Sequence, residues 1–575
     1  MIKILRFLRP YRLQIAFIFG LVFLQALSDL FLPTLMADIV NTGIVKGDTD
    51  YIMRIGGLML LVAIGGTICA VTASYFSSKV ATGFGRIIRG KLFSHVESFS
   101  LQEFDTLGTA SLITRTTNDT TQVQQVLVIM LRMMIAAPMM CIGGIIMAVA
   151  QDASLAWVVI AAIPVILVAI FLVMRSAIPL FRSMQVKIDK LNLILDEGLT
   201  GVRVIRSFDR TAYETRRFDT ANLDLTATTI KVNQLTAIMM PLMMLVLNFS
   251  TIAIIWFGSI RIDNGEMQVG TLMAFLQYAM QILFSLLMLS MMFVMLPRSA
   301  ASAARINAVL DVTPKINDAA VIKKAGAEKG FVEFQNVTFS YPGAEEPALC
   351  DISFQAGPGQ VTAIIGGTGS GKSTLINLIP RFYDVDSGRV LVDGVDVREM
   401  AQAELRSKIG FVPQKAVLFS GTLSDNIRYG RNDASPEEIE YAAETAQAAE
   451  FITGMPGSYA SVIAQGGTNV SGGQKQRLSI ARALVRKPEI YVFDDSFSAL
   501  DFKTDARLRA ALKKETLNAT VLIVAQRVNT VMDADQIIVL NEGSIAGIGS
   551  HRELMQTSEI YREIVYSQLS VEEIA

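Results

Sequence analysis

Val361-Thr362-Ala363-Ile364-Ile365 runs directly into Gly366-Gly367-Thr368-Gly369-Ser370-Gly371-Lys372-Ser373-Thr374, and this stretch decides how the C-terminal half is built. Its first residues form a short apolar, β-branched run suited to a buried strand. The residues that follow fit the pattern G-x-x-x-x-G-K-[ST], a glycine-rich turn opening a helix whose backbone amides and N-terminus favour phosphate. In that context Lys372 holds the β- and γ-phosphates as a point charge, and the Ser373 hydroxyl ligates Mg²⁺. Alone, the motif establishes only a site for a nucleoside triphosphate in an α/β domain.

Two further stretches extend the reading. Ile490-Tyr491-Val492-Phe493-Asp494 is a buried strand that delivers Asp494 at its end, where a Mg²⁺ partner belongs. Between the two lies Val470-Ser471-Gly472-Gly473-Gln474-Lys475-Gln476-Arg477, a serine and two glycines opening a second helix and therefore a second anion site. A single nucleotide does not require two phosphate loops in one chain.

The N-terminal half has another character. Of 575 residues 51% are apolar and only 18% charged, and the apolar ones crowd before about residue 297, which excludes one soluble globule. Net charge is −1, so nothing points to nucleic acid. Cys69, Cys141 and Cys350 have neither metal-ligand spacing nor disulfide density and read as structural. Met1 to Arg12 reads as an interfacial helix. Six segments, at 14–36, 54–77, 127–149, 155–174, 236–258 and 270–297, are long enough to cross ~30 Å of hydrocarbon. Short loops join them in pairs, giving three hairpins.

Long polar stretches separate the hairpins. The stretch 175–235 carries Arg175, Arg182, Lys187, Lys190, Arg203, Arg206, Arg210, Arg216, Arg217 and Lys231, whereas residues 150–154 carry no lysine or arginine. The long stretches are therefore cytoplasmic. Nearly free of proline and helical in period, they continue the spans beyond the bilayer at about 1.5 Å per residue. Their expected tips are Phe104-Asp105-Thr106-Leu107-Gly108 and Leu199-Thr200-Gly201-Val202-Arg203.

With these motifs in this order, the sequence resembles the ABC transporter family over essentially the whole chain, and its exporter branch in the hairpins, the tips and the linker Ala303-Ala304-Arg305-Ile306. The resemblance implies an α-helical six-span transmembrane domain over 1–310, a linker over 311–328 and an α/β P-loop ATPase domain over 329–575. It implies a multi-pass bacterial plasma-membrane protein with a cytoplasmic ATPase domain, using ATP and Mg²⁺. Tyr341 looks like the aromatic that stacks on adenine. Gln414, in Phe411-Val412-Pro413-Gln414, resembles the loop glutamine that senses Mg²⁺, and Asp501, in Ser498-Ala499-Leu500-Asp501, belongs to a D-loop. In the family two such domains meet head to tail, so Ser471, Gly472, Gly473 and Gln474 serve the ATP on the partner's P-loop. The second phosphate loop is thereby explained.

Two positions depart from the pattern. Asp495 stands where the family has a glutamate that polarises the attacking water, and Gln526, in Val524-Ala525-Gln526-Arg527, where it has a histidine contacting the γ-phosphate. Aspartate is one methylene shorter, and a shift of ~1 Å can cost about a hundredfold in rate. Glutamine donates a hydrogen bond but carries no positive charge. The two histidines, His95 and His551, do not follow a strand at the required position. The expectation is a weak ATP site in this chain, an intact signature lent to a different partner half-transporter, and thus a heterodimer. A homodimer and a regulatory, non-hydrolysing subunit are the alternatives. Gln465, where many exporters have glutamate, carries no functional reading.

The cargo is less legible. Gln277, Gln281, Ser285, Met288 and Met292 fall on one helical stripe, and Met239, Met240, Met243, Met244 and Asn248 add flexible thioethers and an amide. Gln25 and Asp29 lie four residues apart inside the first span, and a carboxylate there is costly enough to be a functional candidate. Arg132 reads as a snorkelling anchor. Taken singly, a membrane methionine more often packs or meets lipid, and Asp29 lies either in a cavity or near the outer mouth, paired or solvated. The resemblance to bacterial heterodimeric multidrug exporters implies a cargo of amphipathic or hydrophobic small molecules (drugs), with lipid or peptide export as the nearest alternative.

Overall fold

Apolar runs with few breakers produce helices far longer than a bilayer is thick. The computed structural model describes residues 2–319, 321–323, 326 and 329–569; positions 320, 324, 325, 327 and 328 of the expected linker, and 570–575 of the expected C-terminal domain, lie outside them. Among the described residues six helices are long and apolar enough to span: Lys3–Ile44, Thr49–Val96, Thr109–Gln151, Ala153–Thr200, Thr211–Asp263 and Val269–Leu289. The second and fourth have 48 residues each, about 70 Å at the helical rise, more than twice the hydrocarbon thickness.

The chain forms two compact units, Met1–Glu97 with Ala110–Val312, and Ser98–Thr109 with Thr313–Ala575. The first is the bundle of spans. Asp152 makes the turn between the third and fourth spans by accepting hydrogen bonds from the amides of Ser154 and Leu155 at 2.9 Å, and its other oxygen pairs with Arg261 at 3.1 Å. Small residues let the helices approach: a Cβ at Gly144 would meet the Ile282 side chain, and one at Gly66 the Ser28 hydroxyl. The buried Tyr278 hydroxyl donates to Leu30 O at 2.9 Å and shares a 2.7 Å hydrogen bond with Thr34. No polar group of that ring is left bare in an apolar setting. At the other end Arg305 grips the nearly buried Asp119 with both nitrogen faces, Nε at 2.7 Å.

Two local results add detail to the sequence expectation. The N-terminal segment is a single α-turn, Ile2–Leu5, followed by a 3₁₀ helix over Arg6–Tyr11. The first expected tip forms the helix Leu101–Leu107, closed by Gly108 at φ 72°, and clusters with the second unit. It is anchored there by Tyr383, whose hydroxyl donates to Asp105 Oδ2 at 3.2 Å. The second expected tip is a break at Gly201, between Ala153–Thr200 and Val202–Ser207.

In the second unit, an antiparallel sheet (Leu349–Ala356, Val332–Phe339, Ser387–Val392, Val395–Asp396) packs on a six-stranded one ordered Ser544–Gly549, Gln536–Asn541, Val361–Gly366, Thr520–Val524, Ile490–Asp494, Ile409–Val412. The latter is parallel apart from its first strand. Helices, including Gly472–Val485, cover its other face. Register sets Val524 opposite both Ile364 and Asp494. Three strands therefore end together, at the edge where open α/β sheets bind ligands.

Candidate functional site

The glycine-rich turn leaves the end of Val361–Gly366. A Cβ on Gly366 would strike the carbonyl oxygen of Leu540 in the neighbouring strand, and Gly371 sits at φ 95°, a conformation that disfavours side chains. Lys372 curls back over the loop, its Nζ donating to Gly366 O at 2.9 Å and Gly367 O at 2.6 Å. Burial pulls its pKa below the usual lysine range, against the opposing pull of Asp495 and Asp494. An ammonium held on backbone carbonyls beside an anion-binding turn is placed for a phosphate.

Ser373 Oγ donates to Asp494 Oδ1 at 2.9 Å. This brings together a hydroxyl and a buried carboxylate, the hard oxygen donors that Mg²⁺ takes alongside nucleotide phosphates. The arrangement fits the ion, which when bound would neutralise phosphate charge. Burial raises the Asp494 pKa, and Asp495 raises it further, against the Ser373 hydrogen bond.

Asp495 is the centre of the site. Its backbone is left-handed, φ 45°, fixed by its amide on Val524 O at 3.0 Å and by the Ser498 hydroxyl on its carbonyl at 2.9 Å. Its Oδ2 accepts from Gln526 Nε2 at 2.9 Å and from Gln414 Nε2 at 3.3 Å. The three residues singled out for catalysis thus converge on one oxygen. Asp495 is only 8% exposed, and burial raises its pKa against the Gln414 hydrogen bond.

This has a consequence for stability. A carboxylate titrating above its unfolded value costs the folded state when ionised, and the cost disappears as pH falls through the raised value. Asp495→Asn is expected to raise the melting temperature of the nucleotide-free protein at about pH 8, with the gain shrinking toward about pH 4. A melting series across that range checks it; a gain constant with pH would count against the burial argument.

Tyr341 is exposed at 36%, its hydroxyl 3.0 Å from Thr374 Oγ1, and edge-on to Phe339 and Tyr383 at 5.1 and 5.5 Å between centroids. Thr368, Gly369 and Ser370 complete the turn, with Ser370 Oγ 3.4 Å from Lys372 Nζ. Ser471 caps the helix Gly472–Val485 in a reciprocal box with Gln474, at 2.8 and 3.3 Å, leaving Gly472 exposed with open space about its α-carbon. Asp501 caps the next helix by accepting from Thr504 N at 2.9 Å. The roles of Tyr383 and Ser498 had no signal in sequence spacing; each is visible only once the strands and loops are assembled.

Residues 15–287 match the ABC transporter transmembrane region, and residues 349–498 the ABC transporter domain. An uncharacterized ABC transporter ATP-binding protein of Mycobacterium tuberculosis (strain CDC 1551 / Oshkosh) is 44% identical over 98% of this chain and 97% of its own length. The chain belongs to the ABC transporter family. This half-transporter is also 30% identical to the ATP-dependent lipid A-core flippase of Vibrio vulnificus (strain YJ016), over 97% of this chain and 96% of the flippase. A bacterial Atm1-family ABC exporter solved with ATP bound superposes with a TM-score of 0.82 at 25% identity, covering 97% and 98% of the two chains. The half-transporter is therefore a multi-pass membrane protein, one half of an ATP-driven ABC exporter with an ABC-type ATPase domain that binds ATP.

Residues singled out for the cargo are more scattered in the membrane unit. Gln277, Met288 and Asn248 are exposed on this chain, while Gln25, Asp29 and Met292 are half-buried. Gln281 is half-buried, its Nε2 donating to Asp29 O at 3.0 Å. Ser285 is buried and donates to Ile282 O at 2.7 Å, so it is not part of the open face of this chain. Arg132 reaches Ser74 Oγ at 3.4 Å.

Proposed function

We propose that this chain is the weak-site half of a heterodimeric exporter that moves amphipathic or hydrophobic small molecules out of the cytoplasm or the inner leaflet. The observation that carries the reading is the Asp495 carboxylate, held on one oxygen by both Gln526 and Gln414. A general base must reach a water beside the γ-phosphate, and this one is short, buried and tied back. Gly366 to Thr374 bind the phosphates, Tyr341 the adenine, and Ser373, Gln414 and Asp494 surround Mg²⁺. Ser471, Gly472, Gly473 and Gln474 complete the partner's site, with Asp501 in the loop between the two. The membrane domain spans 1–310, the linker 311–328 and the ATPase domain 329–575.

A lipid cargo is the second reading, favoured by the similarity to the lipid A-core flippase. In either case the division of labour has one test. In the assembled pair, replacing the partner's water-polarising glutamate by glutamine should leave only about one hundredth of the ATPase rate. Substantial residual turnover, or normal turnover by this chain purified alone, would refute the weak-site reading.

A further inference from the structure

The cytoplasmic edge of the first span carries a cluster that ATP chemistry does not use. Arg6, Arg9 and Arg12 recur every third residue through the 3₁₀ helix Arg6–Tyr11 and its C-cap. At three residues per turn they share one face, and at about 2 Å per residue they extend over about 12 Å. All three are exposed, and among the described residues none makes an ion pair. No acidic residue precedes Asp29 in the sequence.

The support beneath them is firm. Ile4 is fully buried, Lys3 pairs with Asp311 at 2.8 Å, and the Tyr11 hydroxyl packs where a Cβ on Gly83 of the second span would lie. The Phe7 ring has two cations near it, the Arg6 guanidinium at 5.0 Å and Lys91 Nζ at 5.4 Å from its centroid. Beside the arginines is a concavity of about 460 Å³ whose wall continues over Leu8, Ile15 and Phe19. Leu13 and Phe17, 87% and 50% exposed, face outward next to it. A row of cations without a carboxylate partner among the described residues thus runs directly into apolar surface at the start of a span.

We propose that this concavity is a binding site for an anionic phospholipid of the inner leaflet, with Arg6, Arg9 and Arg12 on its phosphate and Leu8, Ile15 and Phe19 against an acyl chain. Guanidinium groups match phosphate oxygens in geometry and charge, and basic pockets on the cytoplasmic side of spans suit lipid headgroups. The apolar wall selects a lipid over free phosphate. Bound there, the lipid fixes the entry of the first span at the interface.

The test uses the full chain in mixed micelles of phosphatidylglycerol and phosphatidylcholine at equal amounts, with retained lipid counted by native mass spectrometry. The chain is expected to retain phosphatidylglycerol selectively, and excess glycerol phosphate is expected not to displace it. Arg9→Gln, which leaves the other cations to orient the segment, should reduce that preference about fivefold. Changing all three arginines to glutamine should abolish it while binding of ATP in phosphatidylcholine alone is retained, and changing all three to lysine should restore most of it. Undiminished retention in both Arg9→Gln and the triple glutamine variant, or displacement by glycerol phosphate, overturns the proposal.

Discussion

Asp495→Glu combined with Gln526→His is expected to raise the rate of ATP hydrolysis at this chain's own site by about a hundredfold. The backbone of Asp495 is already held by Val524 O and Ser498, so the added methylene moves the carboxylate outward rather than the strand sideways. Removing Gln526 frees the oxygen that now accepts its amide, and a histidine in its place supplies a group able to carry charge toward the phosphate. Each change alone is expected to do less, because the two side chains share one hydrogen bond and act as a unit. Steady-state ATPase assays of the single and double variants check this. No gain in the double variant would mean that the slow step lies elsewhere than in water activation.

Gly472→Asp is expected to have the opposite and comparably large effect. A Cβ at Gly472 meets nothing within 4 Å and the residue is exposed, so the substitution places a carboxylate at the helix start without disturbing the fold. That helix start is an anion site, and a fixed negative charge there opposes any phosphate brought to it. Loss of one preorganised donor at a reacting phosphate costs about a hundredfold or more, so hydrolysis by the assembled dimer should fall by at least that much. Binding of ATP to this chain's own Lys372 loop should not change. Nucleotide-binding and turnover assays on the same variant separate the two; loss of both would place Gly472 in its own chain's site.

The six spans, the glycine-rich turn and Asp494 are legible in the sequence because each is local: a run of apolar residues, or a strand and a turn within a dozen positions. The contact between Asp495 and Gln526 is not local. It arises because Ile490–Asp494 and Thr520–Val524 are parallel neighbours in register, which brings the residues just beyond both strands together. The identities of Asp495 and Gln526 mark them as departures, but their mutual hydrogen bond and the convergence of Gln414 on the same oxygen require the sheet. The same holds for Asp105 and Tyr383, separated by nearly half the chain. The N-terminal 3₁₀ helix was invisible for another reason: period-three spacing of Arg6, Arg9 and Arg12 is compatible with an α-helix too, and Pro10, which lacks an amide proton, sits within the segment.

The most direct measurement is the chemical state of nucleotide held by this chain. The assembled exporter is loaded with labelled ATP and Mg²⁺, free nucleotide is removed, and the nucleotide bound to this chain's Lys372 loop is identified after several turnovers of the complex. A site whose carboxylate is short, buried and held by Gln526 and Gln414 predicts that ATP is recovered there intact. Recovery of ADP from that loop at the turnover rate of the complex would contradict it.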